Sequence, residues 1–418
     1  MKTVYLFDLD STVTKAEILP EIAKRIGKED EMRELTEKTM AGDIPFSESF
    51  RFRVDMLLDI PVDEVASYIA EIPVNEAIVR FIRENREDCY VVTNNLDCWI
   101  EKLMERIGMK DHTFCSKAKV HGGRITGVSG VFNKGDILES FGEDIRTVAI
   151  GDGSNDLELI KKADIGISFG GVRPISPLLY EVSDFSVFDE ERLTELLYGI
   201  RDGKVDRKKT VVISCAGAGT RLGMGKPKAL LDVSGKTLIL HSLSLLKDVK
   251  DIRIVVGYQA EKVIDAVTAY RKDVLFVYNH DYMHNGTGAS VCLAKRFGGE
   301  YVLTIDGDII IHPEDMKKIL ECDHEFVGVT TPSTDNPVLT TLDENGLVNG
   351  FYRGRGVYEW TGVTMLRSDH TGMTEGHTYT LIEPLLPLPW LFIRQKEIDT
   401  VNDYRNAILW VRNGFQDD

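Results

Sequence analysis

The chain is poor in cysteine and has no long apolar run. Its six cysteines, at positions 89, 98, 115, 215, 292 and 322, form no Cys-x-x-Cys pair. This argues against a disulfide framework or a zinc site and predicts reduced, mostly buried thiols. The most apolar late stretch, residues 381–393, contains one glutamate and three prolines, so it predicts no membrane span. The first ten residues lack the apolar core of a signal peptide. We therefore expect a cytoplasmic protein.

Positive charge is also scarce. Lysine and arginine number 50 against 67 aspartates and glutamates, which gives a formal net charge of -17. This excess of acid argues against a nucleic-acid partner. Small anionic substrates stay open, because a metal ion and a few local cations can reverse the field inside one cleft. The hydrophobic content of 43% is typical of globular proteins, and the length of 418 residues predicts two domains.

A pair of aspartates follows the first apolar run. Residues 4–7 predict a buried strand, and Asp8 and Asp10 come directly after it. The carboxyl end of a parallel strand is where open α/β sheets place their ligands. If Asp8 attacks phosphorus and Asp10 handles the proton, the pair performs covalent phosphoryl transfer. Taken alone, the same segment also fits a turn or a helix cap.

Two later strands end in groups that suit phosphate and magnesium. One predicted strand ends at Thr93, whose hydroxyl suits a phosphate oxygen, and the other leads into a glycine-containing loop with Asp152 and Asp156. These two acids complete an oxygen-rich magnesium site together with Asp8. Lys134 can neutralise a transferring phosphoryl group. A strand end, a surface charge or a capping loop explains any one of these features, but their combination favours phosphoryl transfer.

The first 200 residues resemble the haloacid dehalogenase superfamily, and most closely its phosphoserine phosphatases. The motifs that carry the resemblance are DLDST, VVT, the lysine of NKGD and GDGSNDLELIKKADIGISF. The resemblance implies Asp8 as the nucleophile, Asp10 as the acid and base, and Thr93 and Lys134 as phosphate ligands. It implies a magnesium site at Asp8, Asp10, Asp152 and Asp156. It also implies that the helical residues from about 15 to 75 form a cap.

Residues of the cap and of the Thr93-Asn94-Asn95 segment indicate what kind of substrate to expect. The resemblance places Glu17 at the substrate's amino group, Arg53 at its carboxylate, and Met40 and Phe46 in an apolar pocket; a solvated helix face is the alternative for the charged pair. The family's Ser-Gly-Gly is replaced here by Thr-Asn-Asn, and Asn94 keeps a backbone amide for phosphate but adds bulk. We expect a phosphorylated amino compound of phosphoserine size. A ligand-sensing or regulatory module without catalysis remains the alternative.

A glycine-rich loop opens the second half. The strand at residues 211–213 runs into the sequence CAGAGTRLGMGKPKALL. Leu222 stands where a dinucleotide fingerprint needs its third glycine, and Pro227 stands where a Walker loop needs Ser or Thr. Bare amides in such a loop approach a polyanion closely. Three cations that follow the glycines suit a triphosphate, namely Arg221, Lys226 and Lys228.

Acids at two distant strand ends predict a second magnesium site. Asp308 follows the apolar strand at 301–305, and Asp399 follows a short later run; both can converge on one ion, although a turn or a helix cap also explains them. Residues 208–415 resemble the sugar-phosphate and choline-phosphate type nucleotidyltransferases. The resemblance implies nucleotide contacts at Gly217, Gly219 and Arg221, phosphate contact at Lys228, and magnesium at Asp308 and Asp399.

An asparagine-rich segment bears on the choice of nucleotide. Residues 279–290 resemble the segment that precedes the acidic strand in cytidylyltransferases for phosphocholine and aminoethylphosphonate, which favours CTP over other nucleoside triphosphates. Trp360 either lines the acceptor pocket or belongs to the core.

These observations together predict a two-domain α/β protein. Residues 1–204 form a Rossmann-like haloacid dehalogenase core with a helical cap, and residues 208–418 form a Rossmann-like, mixed-sheet nucleotidyltransferase domain. The predicted protein is a bifunctional, magnesium-dependent enzyme. It hydrolyses a small phosphate ester and transfers a nucleotide to a small phosphate or phosphonate, with a sugar phosphate as the alternative acceptor. The sequence is compatible with a homodimer.

Overall fold

The structure is a computed structural model that describes residues 2–40, 43–219, 222–334 and 336–416, without the side chains of Glu37, Met40 and Phe46. The chain divides into two compact units, Met1–Thr194 and Glu195–Asp418. This division falls earlier than the predicted linker, inside a helix that spans Glu190–Asp202. The domain bounds 1–204 and 208–418 therefore stay a prediction.

The first unit alternates strands and helices. Its strands are β1 (Lys2–Phe7), β2 (Cys89–Leu96), β3 (Thr113–His121), β4 (Arg124–Gly130), β5 (Ile145–Gly151), β6 (Ile165–Phe169) and β7 (Phe185–Val187). Its helices are α1 (Ile18–Arg25), α2 (Glu29–Met40), α3 (Phe46–Asp55), α4 (Val62–Glu71), α5 (Glu76–Glu84), α6 (Asp97–Ile107), α7 (Leu157–Lys162) and the start of α8 (Glu190–Asp202).

The sheet of the first unit places three strand ends side by side. Its strand order is β7-β6-β5-β1-β2-β3-β4, and the pairs β1–β5 and β1–β2 are parallel. The central position of β1 explains its continuous run of buried apolar residues, since both faces of a parallel sheet are covered. Phe7 pairs with Val91 and with Ile150. The residues that follow these three positions therefore meet at one edge of the sheet.

The predicted helical insertion is present as α1 to α4. Its two ends lie together where it leaves the core, because Thr14 forms an antiparallel bridge with Val74 and the Lys15 amide donates to the Pro73 carbonyl at 2.7 Å. Apolar residues at helical spacing, such as Ile18 on α1, are buried. The insertion is thus a packed helical cap, as expected.

The second unit has its own sheets. Its strands are β8 (Lys209–Ser214), β9 (Asp232–Val233), β10 (Lys236–Thr237), β11 (Ile252–Val256), β12 (Leu275–Tyr278), β13 (Tyr301–Asp306), β14 (Ile309–Ile311), β15 (Phe326–Thr330), β16 (Val338–Leu342), β17 (Val348–Arg353), β18 (Tyr358–Arg367), β19 (Trp390–Phe392) and β20 (Gln395–Glu397). Its helices after α8 are α9 (Leu238–Leu245), α10 (Ala260–Thr268), α11 (Thr287–Ala294), α12 (Pro313–Glu321), α13 (Tyr379–Ile382) and α14 (Val401–Arg412).

The main sheet of this unit is mixed, as predicted. Its order is β17-β16-β18-β13-β8-β11-β12, with β8 parallel to β11 and β13 and β18 antiparallel to β13. A separate antiparallel pair, β14 and β20, aligns Ile309 with Glu397. This pairing brings two distant acidic segments together. Within the part of the chain that the structure describes, no helix is long and apolar enough to cross a membrane.

Candidate active sites

The site of the first unit is built around one buried ammonium group. Lys134 is 2% exposed, and its Nζ donates to Asp8 Oδ1 at 2.5 Å and to Asp156 Oδ1 at 2.6 Å. Asp8 directly follows β1, and its Oδ1 also accepts from the Leu9 amide at 2.7 Å. The described hydrogen bonds of this carboxylate all use Oδ1. Its Oδ2 is therefore available to attack an electrophile.

Three carboxylates surround this ammonium. Asp8, Asp152 and Asp156 each offer an oxygen, and these oxygens lie within 4.8 Å of one another. Asp156 Oδ2 accepts from the amides of Asp152 and Gly153 at 3.1 and 3.0 Å, which fixes the loop after β5. A Cβ on Gly151 would lie 2.4 Å from Asp156 Cγ, so only glycine permits this approach.

The carboxylate set fits a divalent cation. Asp152 Oδ1 is buried and has no hydrogen-bond partner among the described residues. A cluster that offers only oxygen ligands, one of them unpartnered, suits a hard ion such as Mg²⁺. The Asp10 carboxylate is not part of this cluster, and its predicted role as a metal ligand stays a prediction.

Burial governs the protonation of these groups. Burial, with a further contribution from Asp156, raises the pKa of Asp8 to about 8 against the opposing effect of Lys134. Burial also raises the pKa of Asp152, and the nearby Asp8 and Asp156 carboxylates add to this shift. For Lys134, burial lowers the pKa, but Asp156 and Asp8 outweigh it and leave the pKa above its usual value. Arg173 also donates to Asp152, so three acids face two cations, an excess of negative charge that favours binding of another positive charge.

The expected acid and base, Asp10, is held by hydrogen bonds to both of its carboxylate oxygens. Asp10 Oδ1 accepts from the Ile18 amide at 2.8 Å, and Asp10 Oδ2 accepts from the Asn95 side chain. Thr93 is fully buried, and its Oγ1 accepts from both nitrogens of Asn95, each at 3.1 Å. Strand β2 runs through Leu96 rather than ending at Thr93, so Thr93 and Asn95 both lie within the strand.

Side chains of the cap and of the core line one cavity. The predicted residues found on its wall are Asp8, Asp10, Glu17, Arg53 and Asn94. Arg53 is 7% exposed, so it is not the solvated surface residue of the alternative explanation. Asn94 donates to the Phe132 carbonyl at 2.5 Å and accepts from Asn155 at 3.0 Å. The side chains of Met40 and Phe46 lie outside what the structure describes.

Two residues of this site were not predicted from the sequence. Arg173 donates to Glu17 and to Asp152, and Asn95 donates to Asp10. Arg173 follows β6 in an irregular segment, where no helical or strand period indicates a direction for its side chain. One feature of the sequence could have indicated Arg173: it comes shortly after β6, which pairs with β5, the strand that leads into the loop with Asp152 and Asp156.

The second unit contains a comparable arrangement of one lysine and several acids. Lys228 Nζ donates to Asp308 Oδ2 at 2.8 Å and to Asp399 Oδ1 at 2.6 Å. Gly219 has a φ of +59°, and a Cβ there would lie 2.8 Å from Lys228 Cγ, so the loop needs glycine at this position. Gly217 and Gly219 line the same cavity as the lysine. Arg221 lies outside the described residues.

A third acid joins the pair predicted from the sequence. Asp308, Glu397 and Asp399 offer oxygens within 4.8 Å of one another, because β14 pairs with β20 and the Ile398 amide donates to the Asp308 carbonyl at 3.0 Å. Burial, followed by Asp308 and Asp399, raises the pKa of Glu397 to about 8. Such an oxygen cluster fits Mg²⁺. Glu397 was not predicted as a ligand from the sequence, although it stands two residues before Asp399.

Aromatic side chains form another wall of this cavity. Trp360, His377 and Tyr379 line it, and the Trp360 and Tyr379 ring centroids lie 6.0 Å apart with the planes at 83°. Thr287, at the start of α11, also lines it. Lys226 is exposed, and its contact with substrate stays a prediction.

The asparagine-rich segment packs against itself just before α11. Asn279 Nδ2 donates to Asn285 Oδ1 at 2.8 Å and to Ser290 Oγ at 3.0 Å. Asn285 returns a hydrogen bond from its Nδ2 to Asn279 Oδ1 at 3.1 Å. These amides are therefore engaged with each other, and they fix the start of α11, where Thr287 faces the cavity.

Known families match both units. The haloacid dehalogenase-like hydrolase family matches residues 5–161, and the MobA-like NTP transferase domain matches residues 211–384. The phosphoserine phosphatase of Methanocaldococcus jannaschii is 35% identical over 213 residues, which are 48% of this chain and 98% of that protein. The phosphoserine phosphatase of Archaeoglobus fulgidus is 33% identical over 202 residues, 45% of this chain and 57% of that protein.

Solved structures resemble each half separately. A substrate-bound phosphoserine phosphatase complex is 32% identical with a TM-score of 0.42, over 47% of this chain and 98% of that chain. The CTP:phosphocholine cytidylyltransferase of Streptococcus pneumoniae is 20% identical with a TM-score of 0.40, over 49% of this chain and 99% of that chain. The chain thus belongs, in its first half, to the phosphoserine phosphatase-like haloacid dehalogenase hydrolases, and it carries a MobA-like NTP transferase domain in its second half.

Proposed function

We propose that the first unit hydrolyses the phosphomonoester of a small amino compound through an aspartyl-phosphate. The observation that carries this proposal is the contact of Lys134 with Asp8 and Asp156 beside a cavity that Glu17 and Arg53 also line. A carboxylate and a guanidinium in one cavity suit the ammonium and the carboxylate of a zwitterion. The relatives named above are phosphoserine phosphatases, and Asn94 makes this pocket narrower than one with glycine there.

The chemistry divides into two displacements. Asp8 Oδ2 forms a bond to phosphorus while the ester P–O bond breaks, and the departing oxygen takes a proton from Asp10. A water molecule then gives a proton to Asp10 and attacks phosphorus. The bond between phosphorus and Asp8 Oδ2 breaks, which releases inorganic phosphate and restores the Asp8 carboxylate. Lys134 and the Thr93 hydroxyl stabilise the charge on the phosphoryl oxygens. A magnesium ion held by Asp8, Asp152 and Asp156 would supply further charge neutralisation.

Hydrolysis of a panel of phosphoamino compounds tests this assignment. We expect magnesium-dependent phosphate release by the wild type, and a loss of at least about 1,000-fold on Asp8→Asn. Glu17→Gln and Arg53→Lys are expected to raise KM for zwitterionic esters more than for p-nitrophenyl phosphate, which has neither an amino group nor a carboxylate. Unchanged hydrolysis by Asp8→Asn would overturn the assignment, and no phosphate release by the wild type would instead support a non-catalytic sensor.

We propose that the second unit transfers a nucleotide from CTP to a small phosphate or phosphonate. In this reaction an acceptor oxygen forms a bond to the α-phosphorus, the α–β bridging P–O bond breaks, and pyrophosphate leaves. Lys228 and the backbone amides near Gly217 and Gly219 hold the triphosphate. A magnesium ion held by Asp308, Glu397 and Asp399 would neutralise charge on the leaving group.

The assignment of CTP as the nucleotide rests on the asparagine-rich segment before Thr287. The assignment of the acceptor site places the acceptor against Trp360 and Tyr379. Pyrophosphate release over four nucleoside triphosphates, crossed with phosphocholine, phosphoserine, aminoethylphosphonate and sugar phosphates, tests both assignments. The expected result is turnover with CTP and an amino-bearing acceptor. Turnover only with sugar phosphates would overturn the acceptor class, and no pyrophosphate from any pair would overturn the activity.

A further inference from the structure

Asn95 contacts both groups that flank the nucleophile of the first unit. It is 3% exposed, and its Nδ2 donates to Asp10 Oδ2 and, at 3.1 Å, to Thr93 Oγ1. Its backbone amide donates to the same threonine oxygen at 3.1 Å. One side chain thus joins the carboxylate expected to protonate the leaving group and the hydroxyl expected to hold the phosphate.

The contacts with Thr93 decide what its hydroxyl can do. A hydroxyl has one proton to donate and two lone pairs that accept. Both acceptor sites of Thr93 Oγ1 are occupied by the two nitrogens of Asn95, and no hydrogen bond within the described chain uses its proton. The hydroxyl therefore serves only as a donor to an incoming group, which suits a phosphate oxygen.

The contacts with Asp10 fix its orientation. One carboxylate oxygen accepts from the Ile18 amide at 2.8 Å, at the start of the cap, and the other accepts from Asn95. A carboxylate held at both oxygens cannot rotate freely about its terminal torsion. Asp10 and Asn95 both line the cavity, so the carboxylate is held in this orientation where the substrate would bind.

We propose that Asn95 is a positioning residue of the phosphatase site. It holds the Asp10 carboxylate in line with the departing oxygen. It also leaves the Thr93 hydroxyl to act only as a hydrogen-bond donor to a phosphate oxygen. The proposal rests on the proposed hydrolase function.

If Asn95 positions Asp10, the loss of activity on replacing Asn95 should depend on the leaving group of the ester. An alkoxide is a poor leaving group and needs the Asp10 proton, whereas p-nitrophenolate leaves without protonation. We expect Asn95→Gly to lower kcat/KM for O-phosphoserine about 100-fold and for p-nitrophenyl phosphate less than about fivefold. The fall for O-phosphoserine should lie mainly in kcat, because Glu17 and Arg53 are untouched. Inorganic phosphate should inhibit the variant more weakly, since Thr93 loses its fixed orientation.

Two further variants separate positioning from folding. Asn95→Asp keeps the shape of the side chain and cannot donate when it is ionised, so we expect the same selective loss at a pH high enough that it and Asp10 share no proton. Asn85→Gly is a matched control directly after α5, where the side-chain amide donates to the Phe81 carbonyl at 2.8 Å, and it should leave the ratio of the two substrates unchanged. Thermal unfolding of each variant verifies its fold.

Two results would overturn the proposal. One is a proportional fall for both substrates in Asn95→Gly and Asn95→Asp, which indicates packing alone. The other is an unchanged ratio in Asn95→Asp, which shows that donation to Asp10 is not needed. Failure of the hydrolase assignment itself would appear differently, as equal activity of the wild type and Asp8→Asn on both esters.

Discussion

At the scale of single residues, one lysine organises each site, Lys134 fully buried and Lys228 with its side chain 12% exposed. Lys134 lies between two carboxylates of the first unit, and Lys228 lies between Asp308 and Asp399 of the second. A buried ammonium is tolerated only with such partners, because desolvation of an unpaired charge costs several kcal/mol. Each lysine therefore stabilises its acidic cluster and also presents positive charge to a phosphate.

Lys134→Met tests both roles at once, since the side chain keeps its length and loses its charge. We expect kcat for ester hydrolysis to fall about 100- to 1,000-fold. We also expect the metal-free first unit to lose about 3–5 kcal/mol of unfolding free energy, because Asp8 and Asp156 remain buried without a cation. Steady-state kinetics and urea unfolding measure the two effects.

Lys102→Met is the matched control for this variant. Lys102 is 39% exposed and pairs with Asp63 at 2.5 Å on the surface, where such pairs contribute little. It should change neither kcat nor stability appreciably. A Lys134→Met protein with kcat within threefold of the wild type would contradict the assigned role.

At the scale of elements, the second site depends on how β20 is held. Asp315, in the first turn of α12, is 2% exposed. Its Oδ2 accepts from Arg394 Nε at 2.8 Å and from the Arg394 amide at 3.0 Å. Arg394 directly precedes β20, which delivers Glu397 to the acidic cluster. The contact between α12 and this segment therefore supports the position of the metal ligands.

Asp315→Asn should weaken this contact in a pH-dependent way. Burial raises the pKa of Asp315, but hydrogen bonds from Arg394 and Lys318 outweigh it and leave the pKa below its usual value. A depressed pKa gives stability that is present above the unfolded pKa of about 4 and is lost as the pH falls. We expect the variant to be about 1.5–3 kcal/mol less stable near neutral pH, with the difference shrinking below about pH 4.

Urea unfolding followed by tryptophan fluorescence measures this difference, because three of the four tryptophans, at 360, 390 and 410, lie in the second unit. Asp369→Asn is the control: its carboxylate is 64% exposed and pairs with Arg367, so its effect should be smaller. A difference for Asp315→Asn that is constant from neutral to acidic pH would show that its charge is not the cause.

At the scale of the whole molecule, each unit carries an acidic cluster that destabilises the metal-free protein at high pH. Asp8 and Glu397 both have a pKa raised to about 8 by burial and by neighbouring acids. A raised pKa gives stability that is complete below the unfolded value of about 4 and is lost as the pH rises through about 8.

Calorimetry in a chelator and in magnesium tests this expectation. Between about pH 6 and about pH 9, the melting temperatures of the metal-free protein should fall. Magnesium should restore them, and its effect should grow with pH because it binds the ionised carboxylates. Melting temperatures that rise with pH in chelator would contradict the expectation.

The two sites are also expected to work independently, since their ligands come from different units. Asp8→Asn should abolish ester hydrolysis and keep pyrophosphate release, and Asp308→Asn should do the reverse. Parallel assays of both variants measure this separation. Loss of both activities in either variant would show that the two reactions share a site.

Local patterns in the sequence were sufficient to predict the architecture. Alternating apolar runs and helical periods predict both α/β domains and the cap, because these periods reflect which face of each element is buried. Motifs at strand ends predict Asp8, Asp152 and Asp156 near one another, since the carboxyl ends of parallel strands share one edge. The family comparisons confirm the two domain types.

The amino-acid sequence by itself thus determined the fold class and which acids lie on strand ends. Only the tertiary structure decided which further side chains reach a site. Arg173, Asn95 and Glu397 gain their neighbours through strand register and loop packing, which join residues far apart in the chain. No local period encodes such contacts, because they depend on where distant elements pack.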